Sequence, residues 1–180
     1  MNRPFPLLLA VAALFFFSGC ATAPTSESGK ADKVADANKT IADAQRNDPS
    51  LKKFFDEAAG YAVFPTVGKG AIGVGGAYGK GILYQNAKTV GFCDLSQATI
   101  GFQLGGQAYS EIIFFETPAA LDHFKSGNFA FSAQATAVAL KSGSGANAKY
   151  SSGVAVFTLG EAGLMYEASI GGQKFSYKPQ

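Results

Sequence analysis

The sequence predicts an α+β protein, in which N-terminal helices pack on a strongly bent, glycine-rich antiparallel sheet or small barrel, with one or two helices inserted near residues 118–140. Composition is the first observation behind this prediction. Only 14 charged residues are spread over residues 60–180, where Gly, Val, Ile, Phe and Tyr dominate, and this composition is typical of strands. Periodicity is the second. Apolar residues fall at helical spacing before Gly60 and again from Pro118 to Lys125, so helices alternate with groups of strands, as in α+β folds.

The chain opens with a targeting segment. Arg3 precedes an uncharged apolar run that ends at Phe17, and a run of about a dozen residues is too short for a spanning helix of roughly 20. Small residues follow, so we expect residues 1–19 to be a cleaved signal peptide. Ser-Gly before Cys20 resembles the bacterial lipobox, which implies that Cys20 carries lipid at the mature N-terminus. The alternative is a secreted protein with a free thiol at Cys20.

A lipid at Cys20 would fix the protein to a membrane, because each buried methylene of an acyl chain contributes about 0.8 kcal/mol. Ala21 is not the Asp that retains lipoproteins at the inner membrane, so we expect the outer membrane, facing the periplasm. Without residues 1–19 the chain has 14 basic and 13 acidic side chains, a balance that disfavours nucleic acid as a partner. Residues 20–29 are expected to form a flexible tether, and residues 30–180 a single domain.

Two helices are predicted before the strands. From Lys30 to Arg46 the charges alternate and the residues at helical spacing are mostly Ala, so this helix should be exposed or weakly packed. For the second helix, Ser50 is the expected N-cap and Gly60 the expected C-terminal cap. The apolar stripe between these caps comprises Leu51, Phe54, Phe55, Ala58 and Ala59.

Nine runs of strand length follow, separated by Gly, Asn, Ser or Pro. They are Tyr61–Phe64, Ala71–Ala77, Gly81–Tyr84, Thr89–Asp94, Ala98–Leu104, Ala108–Glu116, Val154–Leu159, Gly163–Ile170 and Lys174–Tyr177. Between them, Pro118–Lys125 is a predicted short helix and Ala130–Leu140 is either helix or buried strand. Lys141–Ala148 is rich in Ser, Gly, Asn and Ala and is predicted to be a loop.

The sequence gives little support for an enzyme. Residues 68–73 match G-x-G-x-x-G, but further glycines follow at once where a nucleotide site needs a helix. His123 is the single histidine, and Cys93, although Asp94 adjoins it, lies in strand composition that suggests an inert buried thiol. One His and one available Cys cannot form a zinc site. We therefore expect a protein without catalytic residues, metal or cofactor.

Cations beside apolar or flexible segments point instead to a lipid or protein surface. One pair of lysines flanks two phenylalanines of the second helix, and another pair borders a glycine-rich hairpin. Lysines near a bilayer attract anionic headgroups by roughly 1 kcal/mol each. The simpler interpretation is that the phenylalanines belong to the core and the lysines solvate its edge. The candidate lipid-binding residues are Lys52, Lys53, Phe54, Phe55, Lys69 and Lys80.

An ordered series of aliphatic, Phe-Pro and Gly positions carries a family resemblance. It runs through residues 59–65, 68–70, 73, 75–76, 78–79 and 81, and continues in residues 101–109 and 153–172. This series resembles the SYLF domain, or Ysc84 actin-binding, family over about residues 30–178. The resemblance implies a lipid-binding module. In some relatives an amphipathic N-terminal helix takes part in membrane binding, which implies a role for Lys52, Lys53, Phe54 and Phe55.

Eukaryotic members of that family bind phosphoinositides and, in yeast, actin filaments, but a bacterial envelope offers neither partner. We therefore expect a non-enzymatic envelope lipoprotein whose domain binds anionic phospholipid or another amphiphile. The alternative is an envelope scaffold that binds protein or peptidoglycan and uses lipid only as its anchor.

Overall fold

The computed structural model describes residues 26–72, 74–100, 105–127, 129–130, 137–160 and 172–180. The predicted signal peptide, Cys20 and the predicted strand Gly163–Ile170 lie outside these residues. The described elements are α1 (Glu27–Asn47), a 3-10 turn (Pro49–Leu51), α2 (Lys52–Glu57), β1 (Gly60–Ile72), β2 (Val74–Gln85), β3 (Lys88–Ile100), β4 (Gly105–Phe115), α3 (Pro118–Lys125), β5 (Ala137–Ala139), α4 (Ser144–Asn147), β6 (Val154–Gly160) and β7 (Gln173–Pro179).

The seven described strands form one sheet in the order β5-β6-β4-β1-β2-β3-β7. The short β5 runs parallel to β6, and the other neighbours are antiparallel. The predicted α+β class is confirmed, and the sheet is mixed. Its outer strands β5 and β7 are not neighbours in this order, so the small barrel that we kept as an alternative is not formed by the described strands.

The sheet is strongly bent. The side chain of Gln173 on β7 donates to Glu111 on β4 at 3.1 Å, although β1, β2 and β3 lie between these strands. Four strand spacings in a flat sheet would separate them by about 19 Å. The rings of Phe64 on β1 and Phe175 on β7 likewise lie 5.8 Å apart. We call the face that holds these contacts the concave face, and the opposite face the convex face.

Each face is buried under helices. On the concave face, Leu121 and Phe124 of α3 pack among residues such as Phe64 and Phe115. On the convex face, α1, the 3-10 turn and α2 cover a second core, to which Phe54 contributes. Alternate residues of strands such as β1 and β4 enter opposite cores, as the pleat of a β-strand requires. The sheet is therefore the middle layer between helices.

The central strand β1 contains a bulge at its Phe-Pro sequence. The register of β1 with β2 shifts between Val63 and Thr66, and its register with β4 shifts between Phe64 and Val67. Pro65 has no N–H to donate to a ladder, so a bulge is a position that accepts it. Its carbonyl oxygen accepts from the Ser110 hydroxyl at 2.6 Å. Beyond the bulge, Val67 enters the concave core, so Thr66 and Gly68 lie on the convex side.

The strand boundaries differ from prediction at the glycine-rich hairpin. Ala71–Ala77 was predicted as one strand, but the chain reverses between Ile72 and Val74, which pair with each other. The prediction of a single strand here was therefore wrong. Thr89–Asp94 and Ala98–Leu104 were predicted as separate strands, yet their described residues belong to the continuous β3.

The first helix starts earlier and packs more closely than predicted. Ser26 caps α1 by accepting from the Gly29 amide at 3.1 Å. Three small or polar side chains, Ala37, Thr40 and Ala44, are buried beneath it, so this largely charged helix still makes a packed contact with the sheet. The hydroxyl of Tyr84 on β2 also donates to Asn38 at 3.0 Å.

Both predicted caps of the second helix were wrong. Asp48 rather than Ser50 caps the 3-10 turn, because its carboxylate accepts from the Ser50 amide at 3.0 Å. The helix α2 ends at Glu57, and Gly60 begins β1. A Cβ at Gly60 would lie 2.7 Å from the carbonyl oxygen of Tyr84, so this glycine permits close approach of two strands.

Three elements were predicted in the segment between β4 and β6. The predicted helix Pro118–Lys125 is present as α3, and Thr117 caps it. Within Ala130–Leu140, the described residues include the strand β5 and an isolated bridge between Ala130 and Lys174. The predicted loop Lys141–Ala148 contains the short helix α4. No helix within the described residues is both long and apolar enough to cross a membrane.

Candidate functional site

The lysines predicted to bind lipid do not form one patch. Lys52 is exposed on α2 and pairs with Asp56 one turn later. Lys53 is partly buried, and its ammonium group donates to the Ala146 carbonyl oxygen at 3.3 Å and lies 5.0 Å from the centre of the Phe54 ring. Lys53 therefore links α2 to α4 through a hydrogen bond at the protein surface.

The two phenylalanines beside these lysines belong to the convex core. Phe54 is 3 % exposed, and the centre of its ring lies 5.1 Å from that of Phe157 and 5.4 Å from that of Phe114. Phe55 is partly buried, with its ring 5.0 Å from Tyr61. In this conformation the apolar stripe of α2 faces the sheet.

The other two predicted lysines lie on opposite faces. Lys69 of β1 pairs in register with Gln107 of β4, two residues beyond the buried Val67, and this alternation places it on the concave face. Lys80 of β2 alternates with Ile82, whose side chain is in the convex core. Lys80 therefore lies on the side of the sheet that α1 covers.

Lys80 forms part of a groove beside α1. Its volume is about 200 Å³. Lys33 from α1, Thr66 from β1 and Tyr78 from β2 line it, and the sequence had not indicated Lys33 or Tyr78 as functional residues. We call it the basic groove, and its full lining is Lys33, Pro65, Thr66, Gly68, Tyr78, Gly79 and Lys80.

Tyr78 is the one large hydrophobic residue that is exposed among the residues whose side chains are described, with 47 % of its surface accessible. Its hydroxyl donates to Asp94 at 3.0 Å, which fixes the outer edge of the ring. Partial burial and the neighbouring Asp94 carboxylate raise the pKa of Tyr78 to about 12, so the ring remains a neutral phenol. The alternation of Tyr78 with Lys80 along β2 is the signal that could have identified the pair.

Two carboxylates lie at the margins of the basic groove. Asp36, one helical turn after Lys33, has an oxygen 3.8 Å from its ammonium nitrogen. Asp94 accepts from Tyr78 and, at 3.4 Å, from Ser176 on β7. The lining itself contains two lysines and no carboxylate.

A second groove of about 590 Å³ continues along α1 and shares Pro65 and Thr66 with the first. Its charges are balanced, because Asp43 lies 2.7 Å from Lys39 and 2.9 Å from Arg46. We call it the polar groove. Its full lining is Asp36, Lys39, Thr40, Asp43, Arg46, Asn47, Pro65, Thr66, Ser110, Leu159 and Gly160.

The residues considered for catalysis occupy unrelated environments. Cys93 is buried in the concave core, where burial and then the neighbouring Asp94 raise the pKa of its thiol well above the usual value. Such a thiol remains protonated and is a poor nucleophile. His123 is exposed on α3, with its ring 5.3 Å from that of Phe129. Within the described residues, no group of three or more His, Cys, Asp or Glu side chains could hold a metal ion.

The groove and the exposed ring on this bent sheet form a candidate binding surface. Comparison with models of protein families identifies a family that the chain resembles. The family model described as "Ysc84: Las17-binding protein actin regulator" matches residues 96–179. This match confirms, over residues 96–179, the resemblance to the Ysc84, or SYLF, family predicted from the sequence. The matched residues begin within β3, so the basic groove is formed by residues that precede them.

A curated relative supports the same assignment. The chain is 33 % identical over 129 residues to beta cell expansion factor A of Aeromonas veronii. The aligned part covers 71 % of this chain and 49 % of that protein, so the chain spans about half the length of the relative. The match to a family of binding and regulatory proteins suggests a non-enzymatic binding or scaffold role.

Proposed function

We propose that this protein is a non-enzymatic lipoprotein of the bacterial envelope whose SYLF domain binds anionic phospholipid or another amphiphile at the basic groove. The observation that carries the proposal is the exposed ring of Tyr78 beside Lys33 and Lys80. An anionic headgroup would contact the two lysines, while the ring enters the boundary between headgroups and acyl chains. Aromatic residues with a polar edge favour this boundary.

The charges of the groove suit a surface interaction rather than tight binding of a single small ligand. Each lysine near an anionic bilayer contributes about 1 kcal/mol, and salt weakens this attraction over a Debye length of about 8 Å at physiological ionic strength. Binding through Lys33 and Lys80 is therefore expected to be selective for anionic lipid and sensitive to salt.

Co-sedimentation with vesicles tests this proposal. The mature chain with Cys20→Ser is mixed with neutral or anionic phospholipid vesicles at low and at high salt. We compare a Lys33→Glu/Lys80→Glu variant with a Lys52→Glu/Lys53→Glu variant, because both make the same change in net charge. Circular dichroism and thermal unfolding establish that each variant is folded.

The proposal predicts pelleting with anionic vesicles at low salt, and a loss of about tenfold or more in affinity for the Lys33/Lys80 variant alone. An equal loss in both variants would indicate attraction by overall charge and would contradict a local site. A greater loss in the Lys52/Lys53 variant would restore α2 as the binding surface, as the sequence suggested. No pelleting of the folded chain would overturn the proposal.

The proposed anchor is the acylated Cys20. Its support is the apolar segment and the Ser-Gly-Cys sequence, and Ala21 favours the outer membrane with the domain facing the periplasm. Metabolic labelling with palmitate should mark the wild-type protein and not a Cys20→Ser variant. Fractionation of the envelope tests the location, and recovery in the inner membrane would contradict it.

A second candidate function is an envelope scaffold that binds protein or peptidoglycan. The polar groove supports it, because its balanced charges, hydroxyl groups and amide are suited to a polar polymer whose sugars form hydrogen bonds and whose peptides carry charges of both signs. Purified peptidoglycan should then pellet the protein, and Asn47→Trp, which would fill one end of this groove, should reduce pelleting. Binding to peptidoglycan that is unchanged in this variant would rule out the polar groove.

A further inference from the structure

A polar cluster lies inside the concave core, where the rest of the packing is apolar. Glu111 of β4 and Gln173 of β7 are both 0 % exposed, and Gln97 of β3 is 9 % exposed. The Gln173 amide donates to the Glu111 carboxyl at 3.1 Å and approaches the Gln97 side-chain oxygen at 3.5 Å. The hydroxyl of Tyr109 also hydrogen-bonds to Glu111. The cluster thus joins a central strand, β4, to the edge strand β7.

The hydrogen bonding of this cluster is incomplete among the described residues. One oxygen of Glu111, Oε1, and the side-chain oxygen of Gln173 have no hydrogen-bond partner there. Burial raises the pKa of Glu111 to about 7, although the bonds from Gln173 and Tyr109 act in the opposite direction. A buried carboxyl without a cation is expected to be neutral below that pH and to require water or new donors once it ionises.

Within the described residues, the other titratable groups on this face do not supply Glu111 with a counter-charge. On β4 and β3 these groups are Tyr109 and Cys93, and burial raises the pKa of both above the usual values. On β1, Lys69 is displaced along the strand from the position opposite Glu111, because it lies beyond the bulge and two residues past Val67. The neighbours of Glu111 in the two adjoining strands are Phe64 and Thr158, neither of which titrates.

The helix that covers this face, α3, also carries titratable groups. Its Asp122 and His123 are exposed to solvent, and the ammonium group of Lys125 donates to Gln85 at 2.8 Å. No charged group of α3 therefore appears among the hydrogen-bond partners of Glu111 in the described structure. Ionised Glu111 would depend for its solvation on its polar neighbours.

The strand β7 is held by fewer strand pairings than β4. Among the described strands it is the last in the sheet order, it forms a ladder with β3 over seven residue pairs, and it also has an isolated bridge between Lys174 and Ala130. Its Phe175 inserts into the concave core, with its ring 5.4 Å from Phe124 and 5.9 Å from Phe129. By contrast, β4 lies between β1 and β6 and is paired on both sides.

We propose that the contact between Glu111 and Gln173 is a proton-dependent latch that holds β7 against the concave core while Glu111 is protonated, and loosens β7 when Glu111 loses its proton. Loosening admits water to the carboxylate and exposes Phe175 and the aromatic residues beneath it. The latch depends on the core of the fold and not on the basic groove, so it stands independently of the proposed lipid binding.

Hydrogen exchange of the full chain tests the latch, with rates converted to protection factors to remove the intrinsic effect of pH. Between pH 6 and pH 8.5, amides of β7 should lose protection by about tenfold, because a carboxyl with a pKa near 7 when closed and near 4.5 when open favours the open form by that factor. Amides around Ile82 in the central β2 should change less, which separates local from global opening.

A Glu111→Gln variant keeps the shape of the side chain and cannot ionise, so its β7 protection should be the same at both pH values. The matched control is Asp94→Asn, which changes a partly exposed carboxylate that also contacts β7, and it should keep the tenfold loss. Equal protection of β7 in the wild-type protein at both pH values would overturn the proposal, whether or not the variants fold. A pH-dependent loss that persists in Glu111→Gln would also overturn it.

Discussion

Two regions of this protein combine lysines with aromatic rings, and they differ in where the rings lie. On α2, Lys52 and Lys53 flank Phe54, which is 3 % exposed and packs against the sheet. At the basic groove, Lys33 and Lys80 flank Tyr78, which is 47 % exposed. In the first region the rings pack in the core and stabilise the fold, whereas in the second region the ring is exposed to solvent.

This difference shows why adjacency in sequence is a poor guide to a binding surface. The residues of α2 are consecutive, so the sequence made them an obvious candidate. In the basic groove, Lys33 comes from α1 and the other two residues come from β2, and the groove exists only because α1 crosses the convex face.

The largest effect should come from Phe54→Ala. Removal of a buried phenylalanine costs about 3–5 kcal/mol, because it loses apolar burial and leaves a cavity. We expect the free energy of unfolding in urea to fall by this amount. If stability were unchanged while vesicle binding was lost, Phe54 would be a ligand contact and the comparison would fail.

Asp48→Ala should also destabilise the region around α2, by about 2–4 kcal/mol. The carboxylate is 1 % exposed and accepts from the Gly145 amide at 2.6 Å and from both the amide and the hydroxyl of Ser50. Its loss leaves buried donors without partners. Chemical denaturation at pH 7 measures the effect, and a change below about 0.5 kcal/mol would contradict this role.

The pH dependence of that effect has a defined sign. Burial alone would raise the pKa of Asp48, but the bonds from Gly145, Ser50 and Gly143 outweigh it and hold the pKa below its usual value. The stabilisation is therefore present above the unfolded pKa, near 3.8, and is lost as the pH falls through the lower folded value. The difference between wild type and Asp48→Ala should narrow in that acidic range.

Tyr78→Ser should weaken binding to anionic vesicles by about fivefold and leave stability nearly unchanged. The exposed half of the ring contributes roughly 1 kcal/mol when it leaves water, whereas its removal opens no cavity in the core. Co-sedimentation gives the affinity and thermal unfolding gives the stability. Unchanged affinity would exclude Tyr78 from the binding surface.

The smallest effect should come from Lys52→Glu/Lys53→Glu. Lys52 is exposed and its pair with Asp56 is a surface contact, which contributes at most about 1 kcal/mol. We expect a change in vesicle affinity of less than about threefold. A change as large as that of the Lys33/Lys80 variant would make the two regions equivalent.

The sequence predicted the architecture well where local patterns determine it. The apolar stripe of α2, the Pro at the start of α3 and the β composition after Gly60 each follow from short-range chemistry, and these elements are present. The caps of α2 were missed because Asp48 satisfies donors from two segments, one of them the distant Gly145. The hydrogen bond between Asp48 and Gly145 forms only in the folded protein, so no sequence pattern near Asp48 predicts it.

The candidate site was less predictable than the fold. Of the proposed groove residues, Lys80 alone was identified, because glycines beside a lysine suggested an accessible hairpin. The positions of Lys69 and Lys80 on opposite faces depend on the bulge at Pro65, which shifts the alternation of β1 by one residue. A single extra residue in one strand therefore decides which side chains share a surface.

The most direct test of this account uses the absence of tryptophan from the sequence. Tyr78→Trp and Lys52→Trp would each introduce a single tryptophan, one at the basic groove and one on α2. With anionic vesicles, we predict that the emission of Tyr78→Trp shifts to the blue as its ring enters an apolar boundary, while that of Lys52→Trp stays unchanged. A shift at Lys52→Trp without one at Tyr78→Trp, in proteins that both pellet with the vesicles, would contradict the assignment of the binding surface.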